Sequence, residues 1–261
     1  MNTKLLLSVL LVFMSSCSTP AGSADEGIPE IVNQAEAVEP VNPQGAPTET
    51  KPPADLQVNK KDEGEVQLTP VNPKDIVAPM QAIKDLDKKI EGYHLGKDLT
   101  PDQVNENTSL KKQIIRGTFD IRELCRLSLG KHWHDITLEQ QNQFVELMTT
   151  LLETKAIFSK EQLKGNQKYY NITYNKETYD DAEKKKATVS SKMNVPKEKM
   201  TLDITYKLLL TPYGWRIFDV IVDDASLLSN YKFQFDRIIT KSGFAELIDR
   251  MNKKLEKISQ E

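Results

Sequence analysis

Thr201-Leu202-Asp203-Ile204-Thr205-Tyr206-Lys207-Leu208-Leu209-Leu210, then Thr211-Pro212-Tyr213-Gly214, then Trp215-Arg216-Ile217-Phe218-Asp219-Val220-Ile221-Val222-Asp223 is the stretch that decides the fold. Leu202, Ile204, Tyr206, Leu208 and Leu210 alternate with Thr201, Asp203, Thr205 and Lys207, the period of a half-buried strand. The Thr-Pro-Tyr-Gly turn folds the next segment back, so the two runs form an antiparallel hairpin. The second run predicts a strand apolar on both faces, with Trp215, Ile217 and Ile221 on one and Phe218, Val220 and Val222 on the other. Such a strand is covered on both sides or lines an apolar cavity.

Upstream, Ala187, Val189, Ser191 and Met193 alternate against Lys186, Thr188, Ser190 and Lys192, and Lys168 to Tyr174 reads as a further strand. Before the strands the apolar period is helical. Ile76, Met80, Ile83 and Ile90, with Leu86 beside them, mark a first helix ended by Gly92 and Gly96. Short helices follow over about 109–116 and 120–129, the latter opened by Asp120 and Glu123 and stopped by Gly130. Thr137-Leu138-Glu139-Gln140 is a capping box, and Phe144, Leu147, Met148, Leu151 and Leu152 give its helix an apolar stripe running to about Leu163, with Gly165 as the stop. After the hairpin, Ser226 caps a helix with Leu227, Tyr231, Phe235 and Ile238 inward; Gly243 breaks it, and Phe244, Leu247, Ile248, Met251 and Leu255 mark another. Helices, a meander of about four antiparallel strands, and helices again predict an α+β domain.

That domain runs from Lys74 to Glu261. Ser18 to Pro73 differs in kind: it has no aromatic residue, nine of the thirteen prolines, ten acidic residues and three lysines. So little apolar surface does not offset the entropy of ordering, and the segment is expected to be a disordered tether. A flexible coil of its length reaches about 40 Å root-mean-square and spans almost 200 Å, roughly, when fully stretched. Ahead of it, Lys4, the apolar run Leu5 to Phe13, and Met14-Ser15-Ser16-Cys17 form a charged, an apolar and a small-residue region, the order of an export signal. The apolar run is shorter than the roughly 20 residues that cross a bilayer as a helix. Small residues before Cys17 resemble a bacterial lipobox, although Met14 stands where Leu is usual. Cys17 is thus the expected lipidation site, and residues 1–17 a lipoprotein signal peptide.

Past Cys17 the single remaining cysteine, Cys125, excludes an internal disulfide. A net charge of −3 carries no nucleic-acid footprint; the acidic linker leaves the domain slightly basic. His132, His134 and Cys125 are the possible metal ligands, but His-x-His without a further ligand is a weak pattern, and helix-end histidines are the plainer reading. Asn107-Thr108-Ser109 and Asn171-Ile172-Thr173 have glycosylation spacing without consequence in a bacterial lipoprotein. Lys184-Lys185-Lys186 reads as a solvated hairpin tip, with membrane or partner docking as the other use.

One series of segments has a specific likeness. Phe119-Asp120-Ile121, Leu129-Gly130-Lys131-His132-Trp133 and Thr137-Leu138-Glu139-Gln140 with Phe144 form one half; Gly214-Trp215-Arg216-Ile217-Phe218-Asp219-Val220 and Ser226-Leu227-Leu228-Ser229-Asn230-Tyr231-Lys232-Phe233-Gln234-Phe235, followed by Gly243 and Leu247-Ile248, form the other. Together they resemble the MlaC, or toluene-tolerance, family of periplasmic phospholipid-binding proteins over about 74–258, with Lys232 where Arg is commoner. The resemblance implies a sheet packed on helices around an apolar pocket for acyl chains. It also implies traffic between an outer-membrane lipoprotein–porin complex and an inner-membrane ABC transporter of the MCE type, which keeps the outer membrane asymmetric. Phospholipid is then the ligand, with no cofactor. The expected contacts are Phe144, Met148, Leu151, Val189, Ile204, Tyr206, Trp215, Phe218, Val220, Val222, Leu227, Tyr231 and Phe235, although core and pocket wall look alike in a sequence. The place implied is the periplasm, anchored through Cys17.

Two other readings stand beside it. A small α+β isomerase or hydratase would need a buried carboxylate or a Tyr–Asp pair, and Asp219, Asp203 and Tyr206 are the strand residues that could serve. A structural envelope lipoprotein would explain the tether but not a strand apolar on both faces.

Overall fold

The computed structural model describes residues 66, 68–94, 98–155, 170–196 and 199–259. Cys17, the segment up to Glu65, Gly96, the helical extension to Leu163 with Gly165, and Lys168-Tyr169 lie outside them.

Helix α1 spans Pro79–Glu91. Helix α2 spans Pro101–Thr118, far longer than the expected 109–116. Its first half is polar, so the apolar period is silent there; the start is written instead in Thr100, whose hydroxyl accepts from the Gln103 amide while the Gln103 side chain accepts from the Thr100 amide. Helix α3, Ile121–Leu129, is capped by Asp120, and Gly130 follows with φ 54°. Gly130–Trp133 is a 3-10 turn leading to α4, Leu138–Lys155, which opens on the reciprocal Thr137–Gln140 box. Strands β1 (Asn171–Tyr179), β2 (Lys186–Val195), β3 (Met200–Thr211), β4 (Gly214–Val222) and the two-residue β5 (Ala225–Ser226) form one antiparallel sheet in chain order. Helix α5, Leu227–Ser259, is interrupted at Gly243, whose φ of 84° and ψ of 168° belong to a region open to glycine.

Two bulges decide which side chains face inward. Between β3 and β4, Lys207 pairs with Asp219 but Leu208 with Ile217, leaving Phe218 as the extra residue. The parity of β4 therefore changes midway. Trp215, Ile217, Val220 and Val222 all lie on the face of Leu210, Leu208, Tyr206 and Ile204, their cross-strand partners. The sequence reading, which split Trp215 and Ile217 from Val220 and Val222 and grouped Ile221 with the former, is corrected by that one residue. The other face of β4 holds Arg216, Asp219 and Ile221, so it is closed by polar groups more than by apolar ones. The second bulge falls between Tyr174 and Lys176, so Tyr174 and Glu177 share the inner face. The strand expected to end at Tyr174 runs on to Tyr179, because the alternation restarts out of phase after the bulge.

The sheet is thus apolar on one side. Thr188, Ser190, Lys192, Asp203 and Thr205 occupy its outer face at the registers opposite to Ala187, Val189, Ser191 and Ile204. The inner face merges with the helices in one core that includes Ile83, Ile115, Leu124, Phe144, Val189, Leu208, Ile217, Phe235 and Leu247. Cys125 is fully buried within it, and burial pushes its thiol far above the usual range.

Candidate functional site

The inner sheet face gathers six of the expected contact residues by register alone: Val189 on β2, Ile204 and Tyr206 on β3, and Trp215, Val220 and Val222 on β4. Helix α1 and the residues leading into it are fastened against this face at three points. The Trp215 indole Nε1 donates to Val77 O at 3.0 Å, the Met80 amide donates to Glu177 Oε2 at 2.6 Å, and the Tyr174 hydroxyl donates to Asp87 Oδ2 at 3.0 Å. Val71, in the segment expected to be linker, donates its amide to Pro212 O at 2.9 Å, so the chain already meets the β3–β4 turn there.

The helical contact residues form a second group. Phe144 on α4 is fully buried and meets Phe235 edge-on at 5.6 Å between ring centroids and Phe244 at 6.0 Å. Tyr231 stacks on Phe235 at 5.2 Å. Such aromatic pairs add about 0.5–1.5 kcal/mol each beyond their buried area. Met148, Leu227 and Leu152 are buried in the same core, and Leu151 is half-buried against it. Phe218 is half-buried at the bulge. Sequence reasoning passed over Ala187, Leu202, Leu208 and Ile217 as contacts although all four are buried on the inner face; their alternation was the signal.

Near α1 this apolar face carries a polar island. Burial, followed by the negative charge of Asp87, pushes the Tyr206 and Tyr174 phenols far up and Tyr170 up to about 12. All three are therefore held as neutral phenols. Nothing local in the sequence announces the island, because it joins β1, β3 and α1 from distant positions.

The strand carboxylates are placed away from it. Asp219 is on the outer face, where Oδ1 accepts from the Leu228 amide at 2.9 Å and Oδ2 from the Ser226 hydroxyl at 2.7 Å, so it serves the N-terminus of α5. Asp203 is exposed and ion-pairs with Lys192 at 3.1 Å. His132 Nε2 donates to Asp236 Oδ1 at 2.9 Å, and Cys125 is buried in the core. Among the described residues no group of three or more His, Cys, Asp or Glu could hold a metal, and no helix is long and apolar enough to cross a membrane.

The inner sheet face and the helices thus form one continuous apolar core with the tyrosine island at its α1 side. The comparisons with known proteins agree in fold. The family model described as MlaC protein matches residues 88–253. The structure of a phospholipid-binding protein from Ralstonia solanacearum, solved in complex with a phospholipid, superposes with a TM-score of 0.56 at 19% identity, over 70% of this chain and 99% of that one. No curated protein matches.

Proposed function

The chain belongs to the MlaC family, and from that premise we propose that it binds a phospholipid by its acyl chains, between the inner face of the sheet and the helices bearing Phe144 and Tyr231. The observation that carries this reading is the bulge at Phe218, which turns four apolar residues of β4 to the same side as the apolar residues of β2 and β3. Each buried CH2 contributes about 0.8 kcal/mol, so one long chain approaches roughly 10 kcal/mol before the costs of ordering are subtracted. The polar island of Tyr170, Tyr174 and Tyr206, with Tyr174 bonded to Asp87, lies beside the apolar surface. The phospholipid bound by the Ralstonia protein supports the same class of ligand here.

The wider role is that of a periplasmic carrier of lipid between the two membranes. It works with an outer-membrane lipoprotein–porin complex and an MCE-type ABC transporter, and it maintains outer-membrane asymmetry. A lipidated Cys17 and the acidic, proline-rich segment after it would hold the domain on a tether of about 40 Å typical reach.

Leu151→Asp tests the pocket. Leu151 is half-buried, so the substitution is tolerated by the core better than one at Phe144. A carboxylate facing acyl chains is left without a partner, and copurified phospholipid should fall about tenfold or more. The melting temperature should stay close to that of the parent. Unchanged lipid in a folded variant would place the acyl chains elsewhere.

A further inference from the structure

The start of α5 and the turn after α3 enclose a solvent-facing cleft of about 510 Å3, away from the inner sheet face, lined by Leu129, Gly130, Lys131, Ser229, Lys232, Phe233 and Asp236. Phe233 is 69% exposed, an unusual state for a phenylalanine on a helix whose neighbours Tyr231 and Phe235 are buried. Lys131 is 71% exposed at the rim. Gly130 adopts a positive φ, and a Cβ placed there would come within 3.6 Å of Lys232 Cε, so the Lys232 stem lies across the glycine. Arg237 and Lys241 follow Phe233 at i+4 and i+8, both exposed, and continue the same stripe up to the Gly243 break. Two acids adjoin this surface, Asp236 in the cleft and Asp135, 3.8 Å from His132, beside it. The Asp236 carboxylate is shared by His132 at 2.9 Å and Lys131 at 3.1 Å, which leaves the stripe basic.

We infer that this surface docks on an anionic phospholipid bilayer, with Phe233 entering the interface and Lys131, Lys232, Arg237 and Lys241 facing the headgroups. The inference goes beyond the lipid-carrying reading, because it concerns an outer surface distinct from the inner sheet face. Charge and shape select the occupant. A stable protein interface needs about 800 Å2 per partner with several buried apolar anchors. Here Phe233 is the exposed large apolar side chain of the cleft, and its neighbours are cations on long stems. One aromatic wedge with flanking cations suits a membrane interface, where each cation near an anionic surface contributes about fivefold in affinity.

The test uses the full chain carrying Cys17→Ser, so that no acyl anchor contributes, with Phe233→Trp as a reporter. Vesicles of phosphatidylcholine mixed with phosphatidylglycerol, brominated in the acyl chains, are titrated in. The signal is quenching beyond that of the otherwise identical chain keeping Phe233, whose two native tryptophans, Trp133 and Trp215, are buried. Expected is quenching on the anionic vesicles that fades at high salt and is absent on phosphatidylcholine alone. Adding Lys131→Gln with Lys232→Gln should weaken it about 25-fold or more, at two cations of about fivefold each, with copurified phospholipid unchanged. Four results overturn the inference: no quenching on anionic vesicles, equal quenching on neutral ones, lipid lost with the lysines, or an emission shift of the Phe233→Trp reporter with an added acidic protein but not with vesicles. The phospholipid content of the parent chain, measured on the same sample, tells a failure of docking from a failure of the lipid-carrying reading.

Discussion

Arg216 is buried, and its guanidinium Nη2 donates at 2.5 Å to two backbone carbonyls, Arg116 O and Phe119 O, at the end of α2. A helix end leaves carbonyls without intrahelical donors, and one arginine from the outer face of β4 answers two of them. Burial pulls its pKa down, against the charge of Asp120, which raises it. Arg216→Met fills similar space but orphans both carbonyls, and it should cost about 3 kcal/mol of stability in denaturant unfolding. A loss below about 0.5 kcal/mol, the size of an ordinary surface change, would mean that these bonds are not held in solution. Neither Arg216 nor Asp219 could be given its role from the sequence. Both sit in a strand, and their partners lie in a helix end about a hundred positions earlier for Arg216, and at the start of the next helix for Asp219. A carboxylate among apolar neighbours reads as a catalytic candidate until the amide it accepts from is seen.

Elements whose apolar residues keep one period were legible. The β3–β4 hairpin, the Thr137-capped helix and the break at Gly243 all follow from periodicity, caps and turn chemistry. The illegible parts have two physical causes. A polar helix such as the first half of α2 shows no stripe and is announced by its cap alone. A bulge inserts one residue and inverts parity, so β1 looked shorter than it is and β4 looked apolar on both faces. The corrected register makes a sharp comparison. Val220 is buried opposite Tyr206, whereas Ile221 is half-buried opposite Thr205. Val220→Ala removes fewer carbons than Ile221→Ala, yet it should cost more: about 2 kcal/mol or above against about 1 kcal/mol or below. Paired urea titrations reversing that order would restore the unbulged strand.

At the scale of the molecule, the sheet gives its apolar face to the helices, and on its polar face Arg216 and Asp219 of β4 are buried against helix ends. Much of this was readable as an α+β pattern, and the family was readable from the series of segments that resembles it. The core positions were also readable; which of them meet a ligand was not, since burial against protein and burial against an acyl chain impose the same residue types. Lipidation at Cys17 predicts that a fatty-acid label is incorporated into the parent and lost in Cys17→Ser, with release of the variant from membranes; an unlabelled parent would refute the tether. Whether the apolar face holds phospholipid is read by mass spectrometry of the lipids extracted from the purified, denatured chain. Intact phospholipid is expected in amounts comparable with the protein. A chain that yields none, or that yields a small polar molecule it converts, would contradict phospholipid binding.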